Sequence, residues 1–448
     1  MFTRLTNTIP KKSLYFDYLF ALLPLSFIAG NTIINLNIIL ILLSTLFLYK
    51  FSIFQIKIYF LDKLIFCFFL IIVFSGLFND IETLINNYDF SKWKGSFSTT
   101  IKSISFLRFL VLYFAIRYLY ENKLLNLKYF FVSSCFFTVF VCFDIFIQFL
   151  FGTDIFGYEM TGRKLSGPFG DELVAGGYIQ RFSLFSFFLL PLFLKNISKN
   201  KQIFVIIFLF IIFFSGIILS GNRMPLVIFL LSVFLVLVFQ KETRKFFLPF
   251  IVFSFIFFSV ILKINEKVSN NFDNFKDQFV YVVELVNGKY SNIENAPNYI
   301  KEFSTFYETW LMNKFIGGGI KNFRYNCNER PNISSTFNLD KRFKKRMVCN
   351  MHPHNYHLEI LTELGVVGFI ITSGFFCLLL FSVVKKRYFQ KSPLNADFTI
   401  VPFLFLLMCE IFPIRSTGSF FTTTNATYIF LIVSIIIAIL RLQKNKLK

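Results

Sequence analysis

Histidine and charge are both scarce in this chain. Of 448 residues only 16% are charged, only 25 are Asp or Glu, and only 3 are His, whereas 55% are apolar. So little charge cannot solvate so apolar a chain, and apolar runs repeatedly exceed the roughly 18 residues that span a bilayer. A polytopic, all-α membrane protein follows. Cleavage at a signal peptide is not expected, because the first apolar run has no convincing small-residue site after it and reads as the first span. Nor is an internal repeat evident. All three histidines fall within His352-Pro353-His354-Asn355-Tyr356-His357, between a long polar segment and an apolar helix. The side chains that titrate near neutral pH are therefore gathered at one water–membrane border.

About twelve spans are predicted, near 13–30, 33–53, 62–79, 101–120, 129–151, 173–194, 202–220, 223–240, 246–264, 356–384, 396–412 and 425–441. Lys and Arg collect on alternate connections, as cytoplasmic loops require: Lys11 and Lys12; Lys50, Lys57 and Lys63; Arg117, Lys123 and Lys128; Lys195, Lys199 and Lys201; Lys241, Arg244 and Lys245; Lys385, Lys386, Arg387 and Lys391; and the tail from Arg441 to Lys448. Both termini are thus expected to be cytoplasmic and the His cluster to lie on the outer side. The net charge of +21 is spread over these anchors. That distribution excludes nucleic acid as a partner and leaves membrane lipids. The 70 Phe residues read as lipid-facing filler and receive no function.

The chain divides into residues 1–264 with nine spans, a hydrophilic loop at 265–355, and residues 356–448 with three more. A loop of about 90 residues suffices for a small helical subdomain resting on the membrane, not for a separate enzyme. Its second half carries Gly317-Gly318-Gly319, a turn or close-approach signal, and then a basic run containing Lys321, Arg324, Arg330, Lys341, Arg342, Lys344, Lys345 and Arg346. Five of the seven cysteines fall inside spans. Cys327 and Cys349 are the pair in the aqueous loop, and an oxidising compartment would join them beside the His cluster.

Charges inside spans are costly and mark functional sites by default. Arg108, Asp144 with Gln148, Arg181, Arg223 and Glu410 all lie toward the outer ends of their spans. A polar cavity open to the outer side accounts for these depths, although Arg108–Asp144 and Arg181–Glu410 could instead be interhelical ion pairs. Arginine's planar fork of donors suits a phosphate or diphosphate better than a neutral solute. A neutral His at the border can take the proton of an attacking hydroxyl, and a diphosphate leaving group needs charge neutralisation rather than a general acid. The three histidines also have spacing suggestive of a metal site. No nearby Cys or Asp completes it, and neither a metal nor another cofactor is expected. Asn355 is placed to cap the helix that follows, while Gly365 and Gly368 would let it pack closely on a neighbour.

The order of several short motifs resembles the O-antigen ligase and O-antigen polymerase superfamily. His354-Asn355, nine residues, then Gly365-Val366-Val367-Gly368 is similar to its signature. Phe315-Ile316-Gly317-Gly318-Gly319 is similar to its upstream glycine turn, Ser220-Gly221-Asn222-Arg223 to its small-small-x-Arg helix start, Arg163 through Phe169 to the loop after its fifth span, and Pro413 through Phe421 to its late outer loop. Asn222 departs from the smaller residue commoner there. The resemblance implies a metal-independent, inverting glycosyl transfer at the periplasmic face of a bacterial inner membrane. The donor would be an undecaprenyl-diphosphate-linked glycan and the acceptor a lipid A-core or glycan hydroxyl. His354 would assist that hydroxyl and Arg223 would grip the diphosphate, with Arg181, Arg108, Arg324, Arg346 and Asn355 as further substrate-binding residues. Gly317, Gly319, Gly365, Gly368, Cys327 and Cys349 would be structural. The rival reading is a transporter or flippase of the same lipid-linked glycan, which would need polar residues along both halves of its path.

Overall fold

The computed structural model describes residues 11–86, 97–160, 164–194, 197–241, 243–244, 247–264, 266–286, 298–329, 349–390, 394, 397–415 and 418–445. Among them the regular structure is all helical. In chain order the helices are α1 (Lys11–Ala21), α2 (Leu23–Ala29), α3 (Asn31–Tyr49), α4 (Phe60–Asn86), α5 (Ser98–Phe106), α6 (Arg108–Glu121), α7 (Lys128–Phe151), α8 (Ala175–Phe193), α9 (Lys199–Leu219), α10 (Arg223–Phe239), α11 (Phe247–Ile264), α12 (Glu266–Val286), α13 (Asn298–Met312), α14 (Phe323–Glu329), α15 (Tyr356–Val384), α16 (Ile400–Glu410) and α17 (Thr423–Asn445).

Each of the twelve expected spans coincides with helix, but they are not equivalent. Among the described residues seven stretches are long and apolar enough to cross a membrane: Asn31–Tyr49, Phe60–Ile85, Ser98–Glu121, Lys128–Phe151, Lys199–Leu219, Tyr356–Phe389 and Thr423–Leu442. Leu14–Ala29, Arg223–Phe239, Leu248–Lys263 and Ile400–Glu410 are apolar but shorter. α8 carries Gln180 and Arg181 in its second turn, and it is buried along nearly its whole length, so its polar side chains face protein rather than lipid. α17 is buried continuously from Ala426 to Leu440 and packs against α6, α16 and α3 at the centre of the bundle.

The 356–384 span is broken. Gly365 adopts φ 66° and ψ −172°, outside helical geometry and on the side of φ that favours glycine. The break frees backbone groups on both sides of it, and the turn after α13 satisfies them. Gly318 N donates to Thr362 O (3.0 Å) and Gly319 N to Glu363 O (2.9 Å), while Val366 N donates to Lys314 O (2.8 Å) and Val367 N to Phe315 O (3.3 Å). α4 closes the junction from outside. Ser75 Oγ lies within hydrogen-bond distance of the Ile316 and Glu363 carbonyls, and Asn79 Nδ2 donates to Gly317 O (2.9 Å). The two glycine signals therefore meet each other: a Cβ at Gly365 would stand 2.2 Å from Phe315 O, and one at Gly317 would stand 2.3 Å from the Glu363 carbonyl carbon. Gly368 differs from expectation, since its closest neighbour is Leu364 of its own bent helix and not a second helix.

A substitution at Gly365 cannot be absorbed, because the obstacle is backbone and the φ is positive. Gly365→Ala should lower stability by about 1–3 kcal/mol or more. Gly374→Ala, in the same helix with open space at its Cβ, should be neutral. Thermal unfolding of the two variants in detergent checks this, and equal midpoints would contradict it.

Candidate functional site

The His loop is held from three directions. Asn355 is the N-cap of α15, and its amide is fully used: Oδ1 accepts from His357 N (2.9 Å) and Leu358 N (3.1 Å), and Nδ2 donates to Pro413 O (2.7 Å) and Arg415 O (3.0 Å). Asp could cap the helix but could not make the two donations, so this position needs Asn. His357 Nε2 meets Ile411 O at 2.9 Å, and since a carbonyl only accepts, that nitrogen carries the proton. On the other flank, Cys327 of α14 and Cys349 form a disulfide, with Cα atoms 5.8 Å apart. Around it Phe306, Phe323 and Cys327 form a small buried core against which Cys349 and Leu358 pack. Asn350 Nδ2 adds a 2.5 Å hydrogen bond to Glu302 of α13.

Within this frame His354 is partly buried, with its ring edge-on to that of His352 at 4.7 Å between centroids. Burial, and after it the charge of His354, pushes the His352 imidazole down to about 4. Arg324 reaches Met351 (Nη1 to Sδ, 3.8 Å) and so lies beside the His loop. Arg346 lies outside the described residues. So do most members of the basic run and Arg163.

Behind the His loop is a buried knot of charge. Arg181 donates through Nη2 to Glu410 Oε1 (2.6 Å), Asn425 Oδ1 (2.5 Å) and Tyr356 OH (3.3 Å), and Tyr356 OH donates to Glu410 Oε1 (2.8 Å). Arg415 pairs with the other oxygen of Glu410, and its Nη1 also meets the Glu410 carbonyl at 3.2 Å, where a cation is favoured at the end of α16. Tyr428 OH donates to Arg181 O (2.7 Å). Five of these residues (Arg181, Tyr356, Glu410, Arg415 and Asn425) are joined on side chains, and the knot connects α8, α15, α16, α17 and the 411–419 loop.

Of the two ion pairs weighed from the sequence, Arg181–Glu410 forms and Arg108–Asp144 does not. Arg108 instead donates to Ser105 O (3.0 Å) and to Thr423 Oγ1 (3.1 Å), while Asp144 Oδ1 accepts from Ile155 N (2.9 Å). Arg108 and Arg181 thus meet the start of α17 two residues apart, at Thr423 and Asn425. Arg223 is the first residue of α10, after a turn in which Gly221 has φ 68°. That turn packs on α8, since a Cβ at Gly176 would come within 2.6 Å of Ser220 Oγ and 2.8 Å of Asn222 Cβ. Among the described residues no three His, Cys, Asp or Glu side chains group as metal ligands.

Sequence reasoning overlooked Arg415, Tyr356, Asn425 and the two glutamates of α15. Glu359 accepts hydrogen bonds from Ser419 Oγ and Phe420 N, and Glu363 Oε2 accepts from Lys321 N (2.8 Å). Arg415 had a signal, being a cation in a short connection expected on the outer side, where none is expected.

The assembly so far is a multi-pass helical membrane protein whose His loop sits beside a group of arginines. Residues 208–373 match the family model described as O-Antigen ligase, a segment that includes Arg223, the glycine turn, the disulfide, His354-Asn355 and Gly365. That match covers less than half of the chain, and it is a likeness to this family over those residues, which hold the middle motifs of the order described above. No curated protein matches the chain.

Two outcomes follow from the geometry. Glu410→Gln leaves two buried guanidinium groups without their counter-charge and should cost about 3–5 kcal/mol, read as a fall in the unfolding midpoint or loss of folded protein. For His352 the folded protein resists protonation, so between pH about 6.5 and about 4 the unfolded chain binds more protons and stability is lost as the pH is lowered. That loss should shrink in His352→Asn. Identical pH–midpoint curves for the variant and the wild type would rule out the effect.

Proposed function

We propose that the protein performs O-antigen ligase- or polymerase-type glycosyl transfer at the periplasmic face of the inner membrane, moving a glycan from undecaprenyl diphosphate to a lipid A-core or glycan hydroxyl. The supporting observation is the fully satisfied Asn355 amide, which fixes the backbone next to His354 and ties it to the loop carrying Arg415. In this reading His354 takes the proton of the acceptor hydroxyl as its oxygen attacks the anomeric carbon. The bond from that carbon to the diphosphate oxygen breaks, and the leaving lipid diphosphate keeps the electron pair. Inversion follows from attack opposite the leaving group. No metal enters the step, because arginine can neutralise the diphosphate.

Arg223 is assigned to the diphosphate. Arg181 is placed behind the site, since its guanidinium already serves Glu410, Asn425 and Tyr356; it holds the 411–425 region in position. The orientation with both termini cytoplasmic, and the periplasmic placement of 265–355, belong to the same proposal and rest on the distribution of Lys and Arg.

Deleting the gene and restoring it with His354→Ala or Arg223→Ala tests this on lipopolysaccharide gels. Either variant should abolish long capped chains while the protein remains in the membrane. Accumulated lipid-linked polymer identifies a ligase, and a core bearing one repeat identifies a polymerase. Full-length capped chains with His354→Ala would refute the catalytic assignment.

A further inference from the structure

The knot around Glu410 uses up two arginines, but three other cations on the same side of the protein form no ion pair among the described residues. They come from different elements. Lys102 lies on α5 one turn after Thr99, and Thr99 is where the 317–321 turn touches α5: a Cβ at Gly319 would stand 2.3 Å from Thr99 Cγ2. The Lys102 ammonium sits over the Tyr325 ring of α14 at 5.4 Å. Arg108 follows at the α5–α6 junction, with its Nε buried and without a hydrogen-bond partner. Lys321 ends the glycine turn. Its ammonium lies close enough to Arg108 and Lys102 to feel both charges, and burial first, then Arg108, pushes it below its ordinary value.

The backbone at Lys321 adds an independent observation. Its φ of 56° lies in the left-handed region, where glycine or asparagine would be less strained. A lysine kept there, with its N–H bound to Glu363, directs attention to what its side chain does. Two carboxylates are near. Glu359 accepts from Ser419 Oγ and Phe420 N, and Glu363 accepts from Lys321 N through Oε2 while its Oε1 is buried without a hydrogen-bond partner among the described residues; both carboxylates offset part of the charge on Lys321. Three partly buried cations outnumber these two carboxylates and form no ion pair among the described residues, so positive charge is in excess, and a bound anion would balance it.

We propose that Lys102, Arg108 and Lys321 form an anion site that takes phosphate groups of a lipid-linked substrate. It stands on the α5 and α17 side of the knot, whereas Arg223 stands on the α8 and α10 side. The phosphate is either the donor's diphosphate or a phosphate carried by the acceptor. That the ligand is a lipid-linked substrate rests on the transferase reading above; the site itself does not.

Inorganic pyrophosphate, titrated against the full-length protein in detergent with sulfate as the ionic-strength control, tests the site through the unfolding midpoint. Lys321→Gly removes the cation and suits the positive φ, so it should fold, and Lys102→Ala truncates a side chain that is only partly buried. Each should weaken pyrophosphate binding about tenfold, as expected for losing one charged hydrogen bond, and Lys321→Arg should restore most of it. Binding unchanged in both loss variants overturns the proposal. In steady-state transfer assays a raised KM for the lipid-diphosphate glycan in Lys321→Gly identifies the donor as the source. A raised KM for the lipid A-core identifies the acceptor. Pyrophosphate binding that depends on Lys321 in a protein with no transferase activity would keep the site and remove the transferase reading. Transfer with pyrophosphate binding unaltered in both variants would do the reverse.

Discussion

Where Gly365 interrupts α15, the carbonyls of Thr362 and Glu363 and the N–H groups of Val366 and Val367 lose their helical partners, and the 314–319 turn supplies all four. In a bundle this apolar, unsatisfied backbone costs several kcal/mol per group. The turn is therefore bound to α15 by necessity and not by side-chain preference. Everything between α13 and α15 is placed from this junction. Lys321 leaves it directly, α14 starts two residues later, the disulfide carries α14 to Cys349, and the His loop follows. Ser75 and Asn79 of α4 secure the same junction, so a segment distant in sequence fixes the entrance to the site.

The Glu410 knot fixes the opposite wall. A single carboxylate between two arginines is expensive to bury, and it persists because both of its oxygens accept from guanidinium groups, through Arg181 Nε and Nη2 and Arg415 Nη1. What it contributes is position. Pro413 and Arg415 lie in the loop that the knot immobilises, and their carbonyls receive the Asn355 amide. The His354 backbone is thus bracketed by two rigid features: one built from backbone hydrogen bonds at Gly365 and one from buried charge at Glu410. The role proposed for His354 needs a supporting frame of this kind.

Much of this was legible in the sequence, for identifiable reasons. Apolar length placed helix under each expected span, and among the described residues seven stretches are long and apolar enough to cross a membrane, because apolar length follows directly from the cost of moving charge into hydrocarbon. The glycine turn, the Asn355 cap, the Cys327–Cys349 pairing and the Arg181–Glu410 contact came from residue chemistry that has few alternatives. Other features did not show. Gly365 looked like a helix-packing residue, since a positive φ leaves no mark in one sequence. Arg108 looked like a partner for Asp144, because depth along a helix says nothing of the direction a side chain faces around it. Tyr356 and Asn425 are ordinary residue types at helix starts, and only the packing of α8, α15 and α17 makes them ligands of one guanidinium.

The distribution of polar groups along α17 bears on the choice between an enzyme and a carrier. At its start Thr423 and Asn425 receive Arg108 and Arg181; near its end Arg441 lies over the Tyr59 ring, beside a second buried set in which Arg117 pairs with Asp62 (2.5 Å) and Glu121 (2.8 Å). The two sets are separated by about 27 Å of helix at 1.5 Å per residue. Between them α17 is buried; Tyr428 joins the first set through Arg181 O, and the hydroxyls of Thr427 and Ser434 are turned back onto their own helix at Thr423 O and Phe430 O. The second set is closed on itself, with Arg117 wholly buried among its carboxylates and Tyr113. A flippase moving a charged headgroup needs polar side chains that continue from one end to the other, with discontinuous helices near the middle. Along α17 the charged and hydrogen-bonding partners form two islands. The break in α15 lies at the same end as the His loop, so it serves that island and not a path between the two, which favours chemistry at one face over passage through the membrane.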